Sequence, residues 1–208
     1  MKSPHWNLIF AGTSLFYLIS LTYRPYPLDF LFKALPILWL MLLVARNAQN
    51  NKHLLLLALG FSACGDILLA LPLAQGFLLG LGAFLLAQLT YFINFMRFRH
   101  WQGWKIAPLT AVAVFALLML SQLLPQLDSM RLPVLIYMLV ICAMASGAIL
   151  AYKSNPWLLL GAASFLLSDA LLAWNYFIQP FDAADHAVML TYYLAQFGLV
   201  NGALRLRA

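Results

Sequence analysis

Residues 54–71 read LLLLALGFSACGDILLAL, an apolar stretch of membrane-spanning length that contains one carboxylate, Asp66. A helix needs about 20 mostly apolar residues to cross a bilayer. Residues 157–178 form a second such stretch, and it contains Asp169. A carboxylate inside a membrane helix costs roughly 2.5–3.5 kcal/mol on insertion scales, so it is rarely there without a partner or a task. These two stretches decide the fold class and provide the first candidate functional residues.

The composition of the whole chain agrees with a membrane protein. Hydrophobic residues make up 64% of the 208 residues and charged residues 9%, whereas soluble domains contain about 45–50% and about 25%. The sequence therefore predicts an all-α, polytopic membrane helix bundle. The formal charge of +6 does not indicate nucleic-acid binding, because the basic residues are scattered singly through short connecting segments.

Eight segments are predicted to be transmembrane helices, within a single integral membrane domain that covers residues 1–208. The breaks between them contain prolines, glycines or charged residues, which are typical of turns. Cys64 and Cys142 lie inside apolar segments, which argues against a disulfide framework. The predicted helices cover residues 6–22, 28–45, 54–71, 77–96, 106–124, 132–151, 157–178 and 187–204.

The basic residues of the connecting segments predict the orientation. With eight spans, both termini share one side of the membrane with the second, fourth and sixth connections. The connections of the opposite side have only Arg24 and Arg131. Since cytoplasmic loops are enriched in Lys and Arg, both termini are predicted to be cytoplasmic, in a bacterial inner membrane. The basic residues on the side of the termini are Lys2, Arg46, Lys52, Arg97, Arg99, Lys105, Lys153, Arg205 and Arg207.

A weak internal repeat surrounds the two aspartates. Residues 65–70 read GDILLA and residues 168–173 read SDALLA, and the next predicted helix of each half contains Leu-Ala-Gln, ending at Gln88 and at Gln196. The match predicts a 4+4 parallel repeat, in which both halves have the same topology. Chance similarity in a sequence rich in Leu and Ala is the alternative.

Further polar residues share helix faces with the aspartates or lie on the following helices. Helical spacing groups Ser62 with Asp66, and Ser168 directly precedes Asp169. Each candidate also has a structural alternative: the lysine could extend to the interface, the glutamines could only bond across helices, and the tyrosines could only fill space. The candidate binding residues are Lys33, Ser62, Gln88, Tyr91, Ser168, Tyr192, Tyr193 and Gln196.

Sequence motifs of nucleotide-binding, metalloprotease, dithiol redox and serine hydrolase sites are missing, and the four histidines lie at predicted helix ends or in loops. Neither a metal nor a cofactor is therefore predicted. Carboxylate chemistry and transport are the function classes that fit. A proton-coupled transporter is compatible with buried acids and a parallel repeat, and a non-catalytic lipid-binding protein is another alternative.

A series of short motifs follows the predicted helices in order. They are Lys33-x-x-Pro36, Gly65-Asp66-x-x-Leu69, Gly80-x-x-x-Phe84 with Tyr91, Gly161-x-x-x-Phe165-x-x-Ser168-Asp169, and Tyr192-Tyr193-x-x-Gln196. Together they resemble the YhhN family of eight-span membrane proteins, over nearly the whole chain. One position departs from the family pattern, because Gln88 stands where the family often has histidine.

The resemblance implies an ether hydrolase similar to the lysoplasmalogenases of that family. These enzymes cleave the vinyl ether bond of a lysophospholipid to a fatty aldehyde and a glycerophospho-alcohol. The reaction starts with protonation of carbon and passes through an oxocarbenium ion, and two carboxyl groups can share this work. The hypothesis is that Asp169, the drier acid, donates the proton and that ionised Asp66 orients water, or the reverse.

This hypothesis makes two further predictions. The two carboxyl groups are expected within about 10 Å of each other, the range in which paired acids act on one bond. Lys33 is a candidate ligand for the substrate phosphate, and Gln88, Gln196 and Tyr193 are candidates for positioning the ether oxygen or water. Membrane lipids and a lysophospholipid are the only partners predicted.

Overall fold

Eight α-helices follow one another in the computed structural model, within the residues that it describes, which are 4–48, 51–152 and 156–206. Each corresponds to one predicted helix, so the all-α fold class is confirmed. A π-helical turn, Trp174–Ile178, follows the seventh helix. The helices are α1 (Pro4–Ser20), α2 (Asp29–Asn47), α3 (Lys52–Ala70), α4 (Gly76–Met96), α5 (Ile106–Leu123), α6 (Arg131–Ala151), α7 (Pro156–Ala173) and α8 (Ala184–Ala203).

Among the described residues, five helical segments are long and apolar enough to cross a membrane, which makes the chain an integral membrane protein. α1 has only 17 residues, and the Tyr, Gln and Asn side chains of α8 lower its mean hydropathy. The prediction that all eight helices span the bilayer stays a prediction, as does the internal repeat. The five segments are Lys52–Ala70, Gly76–Met96, Gly103–Gln126, Asp128–Ala151 and Pro156–Ile178.

The helices belong to two compact units, Met1–Thr90 and Tyr91–Ala208, and the division falls within α4. In the first unit α2 packs against both α1 and α3. The rings of Trp6 and Trp39 stack with centroids 4.8 Å apart, and the Trp39 indole donates a hydrogen bond of 3.1 Å to the Trp6 carbonyl. The Arg46 guanidinium lies 5.1 Å from the centroid of the Trp6 ring. These contacts fix the position of α1 along α2.

In the second unit, α7 and α8 approach each other until their backbones touch. A Cβ atom added to Gly161 would lie 2.4 Å from the backbone nitrogen of Leu199, and one added to Gly198 would lie 2.6 Å from the Gly161 Cα. Small residues allow this approach, which improves packing between helices in a membrane. α6 packs against α7, and α5 packs against α6. The α7–α8 pair is therefore held by direct backbone contact.

Lys105 is completely buried, although it lies between α4 and α5. Its ammonium group donates hydrogen bonds to the carbonyls of His100 (2.5 Å), Leu150 (2.7 Å) and Tyr152 (2.9 Å). Two of these carbonyls lie at the C-terminal end of α6, where carbonyl groups have no partner within a helix. A positive charge is also favourable at this end of the helix dipole. Lys105 thus ties the α4–α5 connection to α6.

Lys105→Met is expected to destabilise the protein by roughly 1–3 kcal/mol, the range for leaving a buried hydrogen-bonding group unsatisfied. Methionine preserves the length of the side chain but removes the ammonium donor of the His100 and Tyr152 carbonyls, whereas the Leu150 carbonyl still accepts from the His100 backbone N–H. Thermal unfolding in detergent measures the loss, and Arg97→Met, which removes an exposed charge, is the control. Equal melting temperatures for the two variants would contradict the capping role.

Two acids lie in the first turns of helices, Asp29 in α2 and Asp185 in α8. A carboxylate is favourable at that position because of the positive end of the helix dipole. The predicted helix 28–45 already includes Asp29, whereas Asp185 lies just before the predicted helix 187–204. Cys64 and Cys142 are both free thiols, which confirms that they do not form a disulfide.

Candidate functional site

The first unit buries Asp66, one of the two predicted catalytic acids. Asp66 lies in the last turn or so of α3 and exposes 1% of its surface. The preceding glycine makes room for an aromatic ring of α4, since a Cβ atom on Gly65 would lie 2.7 Å from the Phe84 ring. In return, Leu69 of α3 fits against Gly80 of α4, where an added Cβ atom would lie 2.6 Å away. These two interlocking contacts fix the end of α3 that carries Asp66.

The other predicted residues of α2 and α3 are also buried. Lys33 exposes 9% of its surface and Ser62 none, and both interact with other groups of the protein. Burial of Lys33 argues against the alternative in which its ammonium extends to the membrane interface. Buried charges are costly unless opposite charges or hydrogen bonds compensate them. Lys33 and Asp66 lie on helices that pack against each other, so the first unit contains both a buried cation and a buried anion.

Gln88 of α4 is completely buried, and neither its amide nitrogen nor its amide oxygen has a hydrogen-bond partner among the described residues. The same is true of Asn94, later on the same helix. An unsatisfied buried polar group costs about 1–3 kcal/mol, so it needs an explanation. Gln88 does not make the bond across helices that is its structural alternative. Its amide is instead suited to hold a ligand.

A further group of polar residues in the first unit was not predicted as part of the site. Arg24 Nη2 donates to Asp29 Oδ2 at a distance of 2.5 Å. The hydroxyl group of Tyr17, a fully buried residue of α1, lies within electrostatic range of both residues and of Asp66. We refer to Tyr17, Arg24, Tyr26 and Asp29 as the Arg24 cluster. It connects the loop between α1 and α2 with the surroundings of Asp66.

Tyr26 belongs to this cluster through its hydroxyl group. That hydroxyl shares a hydrogen bond of 2.6 Å with Ser20, the last residue of α1, and lies close to Asp29 and Arg24. Burial raises the pKa of the Tyr26 phenol, so it keeps its proton at neutral pH. The sequence signal for the cluster is the spacing of Arg24 and Asp29 around a proline-rich turn.

In the second unit, a tyrosine that was not predicted holds Asp169. The hydroxyl group of Tyr137 in α6 donates a hydrogen bond of 2.5 Å to Asp169 Oδ2. Tyr137 is the only tyrosine of α6, and its position among apolar residues was the available signal. The side chain of Asp169 is thereby oriented from the neighbouring helix.

The prediction that Asp169 is the drier acid stays a prediction, because the accessible surface of a membrane helix can face lipid as well as water. Many protein atoms surround the Asp169 carboxyl group, yet part of the residue remains accessible. Asp66 is almost completely buried. The prediction counted residues from the helix ends, whereas exposure depends on how neighbouring helices cover each side chain.

Three other predicted residues of the second unit form hydrogen bonds. The Ser168 hydroxyl donates to the carbonyl of Val188 (3.0 Å), which links α7 to the start of α8. The hydroxyl of Tyr91, in the second half of α4, donates to Gln196 Oε1 at 2.8 Å. Both Tyr91 and Gln196 are completely buried. Gln196 therefore makes the bond across helices that is its structural alternative.

The tyrosine pair of α8 is part of the same buried region. Tyr192 and Tyr193 expose 3% and 2% of their surfaces. The edge of the Tyr192 ring meets the Phe165 ring of α7 with centroids 5.7 Å apart. Both tyrosines therefore lie in the interior, where their rings can pack and their hydroxyl groups can form hydrogen bonds.

The first unit contains Asp66 and the second contains Asp169, and each acid lies on an apolar helix. Carboxyl groups in such surroundings can donate or accept protons during a reaction. The described part of the chain contains no group of three or more His, Cys or Asp side chains that could hold a metal ion. Proton transfer is the chemistry that these aspartates offer.

Known proteins with similar sequences extend over most of the chain. The human lysoplasmalogenase TMEM86B is 37% identical over 177 residues, which are 84% of this chain and 75% of that protein. The lysoplasmalogenase of Mycobacterium tuberculosis is 31% identical over 165 residues, 76% of this chain and 63% of that protein. No solved structure matches the chain. The YhhN family model matches residues 28–203, and the chain therefore belongs to the YhhN family, as its motifs predicted.

Proposed function

We propose that the protein is a membrane-embedded hydrolase that cleaves the vinyl ether bond of lysoplasmalogen. The products are a fatty aldehyde and glycerophosphoethanolamine or glycerophosphocholine. The observation that carries this proposal is the similarity to relatives named lysoplasmalogenase, which extends over 84% of the chain for the human protein. Two aspartates on apolar helices supply the acid–base groups that such a reaction needs.

The reaction begins when a carboxylic acid transfers its proton to the vinyl carbon that does not carry oxygen. The double bond thereby becomes an oxocarbenium ion, which water captures as a hemiacetal. The hemiacetal then separates into aldehyde and alcohol, so that one water molecule is consumed and no net proton. A pair of carboxyl groups divides similar work in glycoside hydrolysis.

In this scheme Asp169 donates the proton and Asp66 orients the attacking water and accepts its proton. The Tyr137 hydroxyl holds Asp169 Oδ2, which leaves Oδ1 to carry the proton. Asp66 is buried in the unit that also contains the buried cation Lys33, and a buried carboxylate needs such a compensating charge.

The remaining candidate residues serve substrate binding in this proposal. Gln88 has the strongest structural support, because its buried amide has no hydrogen-bond partner among the described residues. Glutamine carries no titratable proton, so Gln88 acts by hydrogen bonding alone. A histidine, which the family often has at this position, could also transfer a proton. The binding residues are Lys33, Ser62, Gln88, Tyr91, Ser168, Tyr192, Tyr193 and Gln196.

We also propose that residues 1–208 form one integral membrane domain whose eight helices all span the bilayer. The positions of the basic residues support cytoplasmic termini in a bacterial inner membrane. The two matching stretches around Asp66 and Asp169 support a parallel repeat of four helices. Fusing a reporter to the C-terminus and to each connection tests this topology.

Purified protein in detergent is expected to release fatty aldehyde from lysoplasmalogen and to leave a 1-acyl lysophospholipid intact. In D₂O the aldehyde should carry one deuterium on the carbon next to its carbonyl, because a proton in equilibrium with solvent is added there. Mass spectrometry of the trapped aldehyde measures this. If lysoplasmalogen remained intact, the hydrolase proposal would be wrong, and a proteoliposome flux assay would then test transport.

A further inference from the structure

The Arg24 cluster lies where α1 ends and α2 begins. Arg24 belongs to the connection between α1 and α2, outside the helices, and its side chain keeps 29% of its surface exposed. Asp29, the first residue of α2, has a side chain that is 12% exposed. The pair thus consists of an accessible cation and a mostly covered anion. The motifs that resemble the family do not include either residue.

Asp29 holds Arg24 in place rather than forming an isolated surface ion pair. Exposed ion pairs contribute only about 0–1 kcal/mol because water screens them. Here the acceptor is covered, and Asp29 Oδ1 is buried without a hydrogen-bond partner among the described residues. Its charge is compensated by the bond of 2.5 Å from Arg24 Nη2, and the Tyr26 hydroxyl lies close to the same carboxyl group. The ion pair holds one edge of the Arg24 guanidinium group in place.

A guanidinium group in a fixed orientation is suited to bind phosphate. Its planar set of N–H donors matches two phosphate oxygens at once, which an ammonium group cannot do. Lys33, the phosphate ligand suggested by the sequence, is 9% exposed and lies within α2. A lipid phosphate stays in the interfacial region of the membrane, so Arg24 is the better placed of the two.

The distance between Arg24 and Asp66 along the membrane normal can be compared with the length of the substrate. Asp66 lies four residues before Ala70, the end of α3, which corresponds to a depth of about 6 Å. Three bonds of an extended chain span about 3.5 Å, so the six bonds from phosphorus to the first vinyl carbon span roughly 7 Å. Arg24 follows the end of α1 and Asp66 lies near the end of α3, and α2 packs against both of these helices, which places the two residues at the same end of the unit.

We propose that Arg24, positioned by Asp29, binds the phosphate of the lysophospholipid and thereby sets the depth of the vinyl ether bond at Asp66. This inference rests on the proposed hydrolase function and names the head-group contact of the same reaction. Arg24 is the binding residue, and Asp29 is a positioning residue that acts through it.

The test compares two substrates in the same mixed micelles, lysoplasmalogen and a 1-O-alkenylglycerol that has the vinyl ether but no phosphate. The natural protein is expected to have the lower KM for lysoplasmalogen. Arg24→Gln should raise that KM roughly 10–100-fold, the range for losing a hydrogen bond to a charged group. The KM of this variant for the alkenylglycerol should not change, because that substrate has no phosphate for Arg24 to bind.

Three further variants sharpen the comparison. Arg24→Lys keeps the charge but not the planar donors, so we expect an intermediate KM for lysoplasmalogen. Asp29→Asn should raise the same KM by less than Arg24→Gln, with kcat nearly unchanged. Arg131→Gln removes an exposed arginine from the second unit and is the matched control, for which no change is expected.

Distinct outcomes would overturn the inference and the proposed function. Equal KM values of the natural protein for both substrates would exclude phosphate recognition without any variant. Equal losses of Arg24→Gln on both substrates would assign Arg24 a purely structural role. If the natural protein released no aldehyde from either substrate, the hydrolase proposal itself would fail, and the inference with it.

Discussion

Aldehyde release from lysoplasmalogen is expected to fall by roughly 10²–10⁴-fold when either Asp66 or Asp169 is replaced by asparagine, the range for loss of a general acid or base. Asparagine has nearly the same shape as aspartate but can neither give a proton to carbon nor accept one from water. The rate is measured at saturating substrate with protein whose melting temperature has been checked. Because the two acids serve one reaction, the double variant should be little slower than either single variant.

Asp182→Asn is the control for this pair, because Asp182 is exposed and lies outside the helices. Its activity should equal that of the natural protein. Tyr137→Phe removes the hydroxyl that donates to Asp169 and should give an intermediate rate, since the carboxyl group stays while its orientation is lost. Full activity in either aspartate variant would exclude that residue from the chemistry.

Gly198→Ala is expected to destabilise the second unit by at least about 1–3 kcal/mol, the usual cost of overpacking. The added Cβ atom would lie 2.6 Å from the Gly161 Cα and 2.8 Å from the carbonyl oxygen of Trp157. Both are backbone atoms, which cannot rotate away as a side chain can, so α7 and α8 would have to separate. Thermal unfolding in detergent and the yield of monodisperse protein measure the effect.

Gly82→Ala provides the matched control, since an added Cβ atom at Gly82 in α4 meets no atom within 4 Å. Alanine favours helix more than glycine does, by up to about 1 kcal/mol, so this variant should be as stable as the natural protein or slightly more so. Equal melting temperatures for the two alanine variants would mean that α7 and α8 tolerate a wider separation.

The helices could be predicted from sequence because burial in a membrane leaves a strong pattern. Long apolar runs separated by proline and charged residues gave all eight helices with small errors at their ends. The π-helical turn after α7 was not predicted, since the residues Trp174–Ile178 continue an ordinary apolar run. The π-helical turn depends on the pattern of backbone hydrogen bonds, which cannot be read from the amino-acid composition.

The candidate site could be predicted only in part. An aspartate in an apolar run stands out, because a carboxylate is costly there. Tyr17 and Tyr137 do not stand out, since a tyrosine is equally compatible with lipid contact, packing and hydrogen bonding. Gln88 and Gln196 follow the same Leu-Ala pair in sequence, yet only Gln196 has a hydrogen-bond partner shown by the structure, Tyr91. That difference is decided by neighbouring helices.

The backbone contact between α7 and α8 restricts the route by which a lipid could reach the second unit. Gly161 and Gly198 bring the two helices together, and Gly202 continues the contact, since a Cβ atom there would lie 2.7 Å from the Leu158 Cα. An acyl chain diffusing in the bilayer finds no gap along this line. The acyl chain must therefore enter between another pair of helices. Mutations meant to admit bulkier lipids should be made between those helices.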